Sequence, residues 1–117
     1  MVDGWIREIK EKCDSQSLGM ILVHNGVVRG SSKDGCTVQG MVLSYNKELL
    51  ESTVREMKAR EGIVEIKVWI NEGDLRVGDD IMYVLIAGRF RTDILPVFQE
   101  LLTIVKTKIV DEKEVGK

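Results

Sequence analysis

The sequence has 117 residues, of which 44% are hydrophobic and 31% are charged, and its formal net charge is −2 at pH 7. This length predicts one domain over residues 1–117. The charge gives no broad basic surface of the kind that nucleic-acid binding requires, so we expect no nucleic-acid partner and only local anion recognition. We find no signal peptide and no apolar run near the roughly 20 residues of a membrane span, which predicts no membrane partner and a cytoplasmic location.

The cysteines and the histidine argue against several kinds of site. Cys13 and Cys36 belong to no CxxC pair, so a disulfide framework is not expected and a reducing compartment is favoured. His24 is the only histidine, which excludes a histidine-rich metal site and leaves a catalytic triad a single candidate base. Its alternating position in a predicted strand favours a partly buried ring. We therefore predict neither a metal nor a cofactor.

The first part of the chain predicts one helix and two strands. Residues 3–13 place their apolar side chains on one side, as a short amphipathic helix does. Residues 20–29 form an extended run rich in β-branched residues, in which Gly26 indicates a bulge or a close backbone approach. After the loop-like residues 30–35, residues 36–45 are predicted to return as the second strand of a long hairpin. Its best core candidates are Val38, Met41 and Leu43.

The middle of the chain predicts another helix and two more strands. Asn46 is a favourable N-cap for a helix over residues 47–60, and Gly62 ends that helix. Residues 63–70 alternate as a half-buried strand, and residues 81–87 form the most apolar strand, with turns between them. With the helix that follows, the order is α-β-β-α-β-β-α, which predicts an α+β fold with helices packed on a sheet.

The last segment repeats apolar residues at three- and four-residue steps, which predicts a helix packed on the sheet. These residues are Ile94, Leu95, Phe98, Leu101, Leu102 and Val105. Pro96 lies early in this helix, where its missing N–H costs least. If the helix continues, Lys106 and Lys113 project on nearly the same side because they are seven residues apart. Such a pair is either a solvated helix end or an anion site, and the spacing leaves both interpretations open.

Three motifs occur together in this sequence. An apolar strand in residues 19–29 ends in Gly-Val-Val-Arg, residues 73–79 have the sequence Gly-Asp-Leu-Arg-Val-Gly-Asp, and residues 91–113 begin with an arginine and carry two lysines seven apart. In these motifs, and over nearly its whole length, the chain resembles the large, catalytic subunit of molybdopterin synthase. The resemblance implies a single-domain, α/β-hammerhead-like sheet with packed helices.

The resemblance also implies a sulfurtransferase. Members of this family convert cyclic pyranopterin monophosphate into the dithiolene molybdopterin. The sulfur comes from a thiocarboxylate at the C-terminal Gly-Gly tail of a small ubiquitin-like sulfur-carrier subunit. The large subunit is a homodimer within a heterotetramer, and each site draws residues from both copies. We expect the extended tail of the small subunit to lie in a narrow channel that ends at Lys106.

The resemblance assigns roles to individual residues. Lys106 corresponds to the catalytic lysine near the inserted tail, and Lys113 to the second active-site lysine. Arg29 corresponds to the arginine that ends the Gly-x-Val-Arg strand, and Arg91 to an arginine contributed by the neighbouring copy. Arginine forks and lysine charges suit a cyclic phosphate whose opening develops negative charge. The substrate-binding residues implied in this way are Val27, Val28, Arg29, Phe90, Arg91, Glu114 and Val115.

Some positions differ from the family pattern and support alternative hypotheses. Phe90 stands where the family has histidine, and residues 110–112 are Val-Asp-Glu where the family has Pro-Ile-Trp. These differences favour a catalytically lapsed family member that acts as a dimeric interaction or scaffold protein. A third hypothesis is an unrelated small-ligand domain, for which a pocket remote from Arg29 and Lys106 would be the sign.

Overall fold

The computed structural model describes residues 1–116. The elements follow one another in this order: α1 (Val2–Lys12), β1 (Met20–Val27), β2 (Val38–Tyr45), α2 (Lys47–Lys58), β3 (Ile63–Ile70), β4 (Gly73–Arg76), β5 (Asp80–Gly88), α3 (Arg91–Ile104), a π-helical segment (Val105–Ile109) and β6 (Val110–Gly116). The seven predicted elements occur in the predicted order, which confirms the α+β class, and the structure adds β4 and β6. None of these helices combines the length and the apolar character needed to cross a bilayer.

The first sheet is organised around β5, with antiparallel β1 and β3 on either side of it. Alternate side chains of a strand point to opposite faces. Val84 and Ile86 therefore join the main core beneath α3, while Leu85 and Ala87 pack against Ile9 of α1. Helices cover both faces of β5, and this is why the strand is an almost continuous apolar run.

The second sheet has the order β4-β2-β6, and all its pairs are antiparallel. Val38, Met41 and Leu43 of β2 are buried, as predicted. In the register between β2 and β6, Leu43 lies opposite Glu112 and Val42 lies opposite Lys113. This sheet shares the main core with α3 and carries one wall of the candidate site.

The predicted hairpin between β1 and β2 is wrong. β1 pairs with β5, and β2 pairs with β4 and β6, so the two strands belong to different sheets. The connection between them contains an isolated bridge from Ser31 to Thr37. Alternating apolar residues identify a strand but do not specify its partner, and this connection is long enough to pass from one sheet to the other. The predicted bulge is confirmed, because the register of β1 shifts between Gly26 and Val27.

The two additional strands lack the apolar alternation from which strands are usually recognised. β4 has only four residues and begins at Gly73, whose φ of +120° is typical of a turn. β6 consists mainly of charged residues. Its extended form depends on backbone pairing with β2 rather than on burial of its own side chains.

The predicted start of α2 is confirmed, whereas its end lies at Lys58 rather than at residue 60. The side chain of Asn46 accepts a hydrogen bond from the backbone N–H of Leu49 at 3.0 Å, which confirms the N-cap. The helix ends at Lys58, and the chain then turns at Gly62, where φ is +82°. A Cβ atom at Gly62 would lie 2.3 Å from the carboxyl carbon of Asp93, so glycine also lets α3 approach closely.

The predicted stripe of α3 is largely correct, since Ile94, Leu101 and Val105 are fully buried. Leu95 is 38% exposed, and Val97 is buried in its place. The helix does not continue to Lys113, because the chain widens into the π-helical segment and then pairs with β2 as β6. The expected shared helix face of the two lysines is therefore wrong.

Candidate functional site

An open cleft of about 650 Å³ is lined by residues from both sheets, from the loop after β1 and from the π-helical segment. Its cationic side chains are Arg29, Lys33 and Lys106. Its carboxylates are Asp34, Glu112 and Glu114. Val27, Ser31, Met41 and Ile81 complete the lining. Equal numbers of the two charges on a partly apolar wall suit a small ligand that carries both an anionic group and hydrogen-bond donors.

Arg29 is held at the cleft by the turn that follows β4. The backbone N–H of Val28 donates to the carbonyl of Asp79, and the carbonyl of Val28 accepts from the N–H of Gly78, both at 2.9 Å. Gly78 adopts a φ of +92°, which glycine tolerates without strain. The Nε of Arg29 donates to the carbonyl of Ser31 at 2.8 Å. This bond orients the guanidinium, whose terminal nitrogens form the fork that suits phosphate oxygens.

Lys106 is the second residue of the π-helical segment. Val105 and Ile109 are buried and fix the segment at both ends. The hydroxyl of Thr107 donates to the carbonyl of Thr103 at 2.7 Å, which satisfies a carbonyl in the widened turn. Single π-helical turns of this kind occur frequently at functional sites. The Lys106 side chain is 62% exposed and projects its ammonium group along the cleft wall.

The face of β6 that meets the cleft carries carboxylates. Met41 lies opposite Glu114 and Val42 lies opposite Lys113 in the antiparallel register. Residues directly opposite each other share a face, and neighbours in a strand alternate. Glu112 and Glu114 are therefore on the inward face, where both line the cleft. Lys113 is on the outward face with the exposed Val42, so one copy of the chain does not bring Lys113 to Lys106.

Some of the other predicted site residues line the cleft and others lie outside it. Val28 is buried directly beneath the cleft wall. Val115 is exposed on the outward face of β6. Phe90 is 58% exposed at the start of α3, where the guanidinium of Arg89 lies 5.0 Å from its ring centroid. Arg91 is exposed in the first turn of α3. The predicted residues that one chain gathers in the cleft lining are Val27, Arg29, Lys106 and Glu114.

Sequence reasoning missed several residues of the cleft. Lys33 and Asp34 belong to the loop-like residues 30–35, whose composition gives no indication of a site. Glu112 was predicted only as a difference from the family pattern. Had residues 110–115 been recognised as a strand, their alternation would have placed Glu112 and Glu114 on one face.

His24 lies close to this site without lining the cleft. Its ring is half-buried, as predicted, and meets the ring of Phe98 edge to face with centroids 6.1 Å apart. Burial lowers the pKa of His24, and the nearby charge of Lys106 lowers it further. The histidine therefore reports on the position of Lys106.

A second groove, of about 400 Å³, lies between α2 and β3 and shares no lining residue with the cleft. It is lined by Leu50, Glu51, Val54, Arg55, Lys58 and Val68. Its three charged residues belong to the exposed side of α2, and it brings together no group of catalytic character. Within residues 1–116, no three histidine, cysteine or acidic side chains come together in a way that could hold a metal ion.

Comparison with known proteins gives a family match and several similar folds. The model of a family described as MoaE protein matches residues 4–108. A molybdopterin synthase structure from Staphylococcus aureus is 15% identical, with a TM-score of 0.77, and the match covers 96% of this chain and 84% of that one. Molybdopterin cofactor biosynthesis protein E from Burkholderia multivorans is 20% identical, with a TM-score of 0.76 and coverage of 100% and 82%.

A third similar structure is a complex of subunits 1 and 2 of molybdopterin-converting factor from Helicobacter pylori. It is 18% identical, with a TM-score of 0.71, and the match covers 97% of this chain and 77% of that one. Comparison with curated protein sequences found no match. At these identities the structural similarities establish the fold, and the family assignment rests on the matched residues.

Proposed function

This chain belongs to the MoaE protein family, and we propose that it is the large, catalytic subunit of a molybdopterin synthase. In this role it transfers sulfur from the C-terminal thiocarboxylate of a small ubiquitin-like subunit to cyclic pyranopterin monophosphate. The observation that carries the proposal is the cleft itself, which brings Arg29 and Lys106 together from distant parts of the sequence.

We assign Arg29 to the cyclic phosphate of the substrate. Its Nε is already bonded to the carbonyl of Ser31, so the guanidinium is oriented before a ligand arrives. The planar fork can donate two parallel hydrogen bonds to phosphate oxygens, and such bonds strengthen as negative charge develops during ring opening.

We assign Lys106 to the reacting tail of the small subunit. Its ammonium group is mobile and largely exposed, and a positive charge at this position attracts the thiocarboxylate and stabilises the negative charge that moves from sulfur during transfer. An extended Gly-Gly tail suits this approach because its backbone can come close to a side chain. The oxygens of Glu112 and Glu114 are available to N–H groups of a pterin.

A second copy of the chain accounts for the predicted residues outside the cleft. Arg91 and Phe90 are exposed together at the start of α3, and in the proposed homodimer they reach the cleft of the other copy. The Helicobacter pylori structure, a protein–protein complex of two subunits, supports a small-subunit partner, and one such partner on each copy of the proposed homodimer gives a heterotetramer. A cytoplasmic location belongs to the same proposal.

We give Lys113 a secondary role, since its side chain is on the outward face of β6.

Reconstitution tests this function. The chain is mixed with a thiocarboxylated small subunit and cyclic pyranopterin monophosphate, and the dithiolene pterin is quantified. We expect product from the wild-type chain and a loss of roughly a hundredfold or more in Lys106→Ala, because a charge that stabilises the transition state is removed. Lys108→Ala is the matched control, since Lys108 is an exposed lysine of the same π-helical segment. Equal rates for both variants would overturn the role of Lys106.

A second candidate function is a family member that has lost catalysis and acts as a dimeric scaffold. The observations that favour it are the carboxylate facing Lys106 in the cleft and the phenylalanine at position 90. In the same reconstitution, a scaffold forms the dimer and retains the small subunit on a sizing column but yields no dithiolene product. Product formation by the wild-type chain eliminates this candidate.

A further inference from the structure

Glu112 differs from the other carboxylates of the cleft in its burial. Its side chain is 22% exposed, whereas Asp34 and Glu114 are exposed to solvent. It projects from the inward face of β6, opposite the buried Leu43. A carboxylate on this face is less accessible to water than its neighbours, and its oxygens therefore depend more on partners within the protein.

One oxygen of this carboxylate lacks a hydrogen bond. Oε1 of Glu112 is buried and accepts none from any group in residues 1–116. The Nζ atom of Lys106 lies 3.9 Å away, which is close enough for charge attraction but about 1 Å too long for a charge-assisted hydrogen bond. A buried acceptor without a donor is costly, and more so when it is charged.

We propose that Glu112 is a positioning residue for Lys106. The lysine is long and its side chain is 62% exposed, whereas the carboxylate side chain is only 22% exposed on the inward face of β6. A small movement of the ammonium toward Oε1 completes the hydrogen bond and satisfies the buried oxygen. Glu112 thereby selects, from the conformations of Lys106, the one in which the ammonium lies against the cleft wall.

The position of Glu112 on β6 distinguishes it from the neighbouring acids as a partner for Lys106. The adjacent acid, Asp111, lies on the outward face opposite the exposed Ser44 and does not line the cleft. Glu114 lines the cleft but is exposed, so water satisfies it. Glu112 and Asp111 therefore give a matched pair of variants. Glu112→Gln and Asp111→Asn each remove one negative charge, from opposite faces of the same strand.

The first test is independent of catalysis. The full-length chain is treated briefly with an amine-acetylating reagent, and the acetylation of Lys106 and Lys108 is quantified by peptide mass spectrometry. Glu112→Gln should raise the Lys106 to Lys108 ratio several-fold, because the ammonium loses the charged partner that holds it against the cleft wall. Asp111→Asn should leave the ratio unchanged. An unchanged ratio in Glu112→Gln, or an equal rise in both variants, would overturn the proposal.

The second test rests on the proposed function and uses the reconstituted synthase. Glu112→Gln should lower kcat about tenfold with little change in KM for the pterin, since misplacing a catalytic charge affects the transition state more than substrate binding. Glu112→Asp retains the charge and should recover part of the loss. If the wild-type chain makes no product, the proposed function fails while the acetylation ratio still decides the role of Glu112. A loss confined to KM, or Glu112→Asp no better than Glu112→Gln, would contradict positioning.

Discussion

The two faces of β6 carry different chemistry although they are separated by a single residue step. The inward face gives Glu112 and Glu114 to the cleft beside Lys106. The outward face carries Lys113, opposite the exposed Val42 of β2. Strand alternation, and not closeness in sequence, therefore decides which charges reach the site. The cleft consequently sets a carboxylate, Glu112, against Lys106, and does not contain the predicted pair of Lys106 and Lys113.

The largest expected difference between the faces is in stability. Leu43→Ala should lower the free energy of unfolding by about 2–5 kcal/mol, because it leaves a cavity beneath the inward face. Val42→Ala, one position away on the outward face, should cost less than about 1 kcal/mol. Urea denaturation of the two variants measures both values. Similar losses would mean that the outward face is also packed.

Substrate binding should distinguish an arginine that lines the cleft from one that does not. Arg29→Ala should weaken binding of cyclic pyranopterin monophosphate by about 10- to 100-fold, the effect expected for lost hydrogen bonds to a charged group. Arg29→Lys should restore only part of it, because lysine lacks the planar fork. Arg76→Ala is the control, since Arg76 of β4 is exposed opposite Gly40 of β2 and does not line the cleft. Calorimetric titration gives the Kd values, and equal effects at both arginines would contradict the assignment.

The contribution of a second copy can be tested by mixing two inactive chains. Arg91→Ala and Lys106→Ala remove residues proposed to act from different copies. Random exchange of subunits between two-fold dimers should restore about a quarter of the wild-type sites, because half of the dimers are hybrids with one intact site each. Reconstituted activity of the mixture measures this. No recovery after verified subunit exchange would mean that Arg91 acts within its own copy.

The smallest expected effect is a shift in the titration of His24. Removing the charge in Lys106→Ala should raise the pKa of His24 toward its ordinary value, although burial keeps it lowered. Because His24 is the only histidine, its ring protons can be followed by NMR without ambiguity. Lys108→Ala should leave this pKa where it is, and an equal shift in both variants would contradict the proximity of Lys106.

The lowered pKa of His24 also has a consequence for stability. The unfolded chain takes up the proton at a higher pH than the folded chain, so this group contributes a loss of stability as the pH falls below about 6.5. Urea denaturation of wild type and His24→Gln on either side of that pH measures the contribution. The wild type should lose more stability on acidification than the variant.

The sequence predicted the elements with a strong apolar period and missed the rest. β5 and α3 were predicted correctly because burial on a helix or sheet leaves a clear pattern in Ile86, Ile94 and Leu101. β6 was missed because most of its residues are charged. The last helix was instead predicted to continue through these residues to Lys113. The partner of β1 was also wrong, since pairing depends on the whole fold and not on local pattern.

Only some of the residues that line the cleft were predicted from the sequence. The family resemblance singled out Arg29 and Lys106, and both line the cleft, because the end of β1 and the buried ends of the π-helical segment bring them to the same place. Contrary to the prediction, Lys113 does not share a face with Lys106, because residues 110–116 form a strand in which Glu112 takes the inward face. A change of one step in the period moves every side chain to the other face.

Rates of dithiolene formation by Lys106→Ala and Lys113→Ala, measured together in the reconstituted synthase, test the central claim most directly. The inward position of Lys106 predicts a loss of roughly a hundredfold or more for its removal. The outward position of Lys113 predicts a loss of less than about tenfold. Equal losses, or a larger loss for Lys113→Ala, would contradict the claim that the inward face of β6 and the π-helical segment form the site.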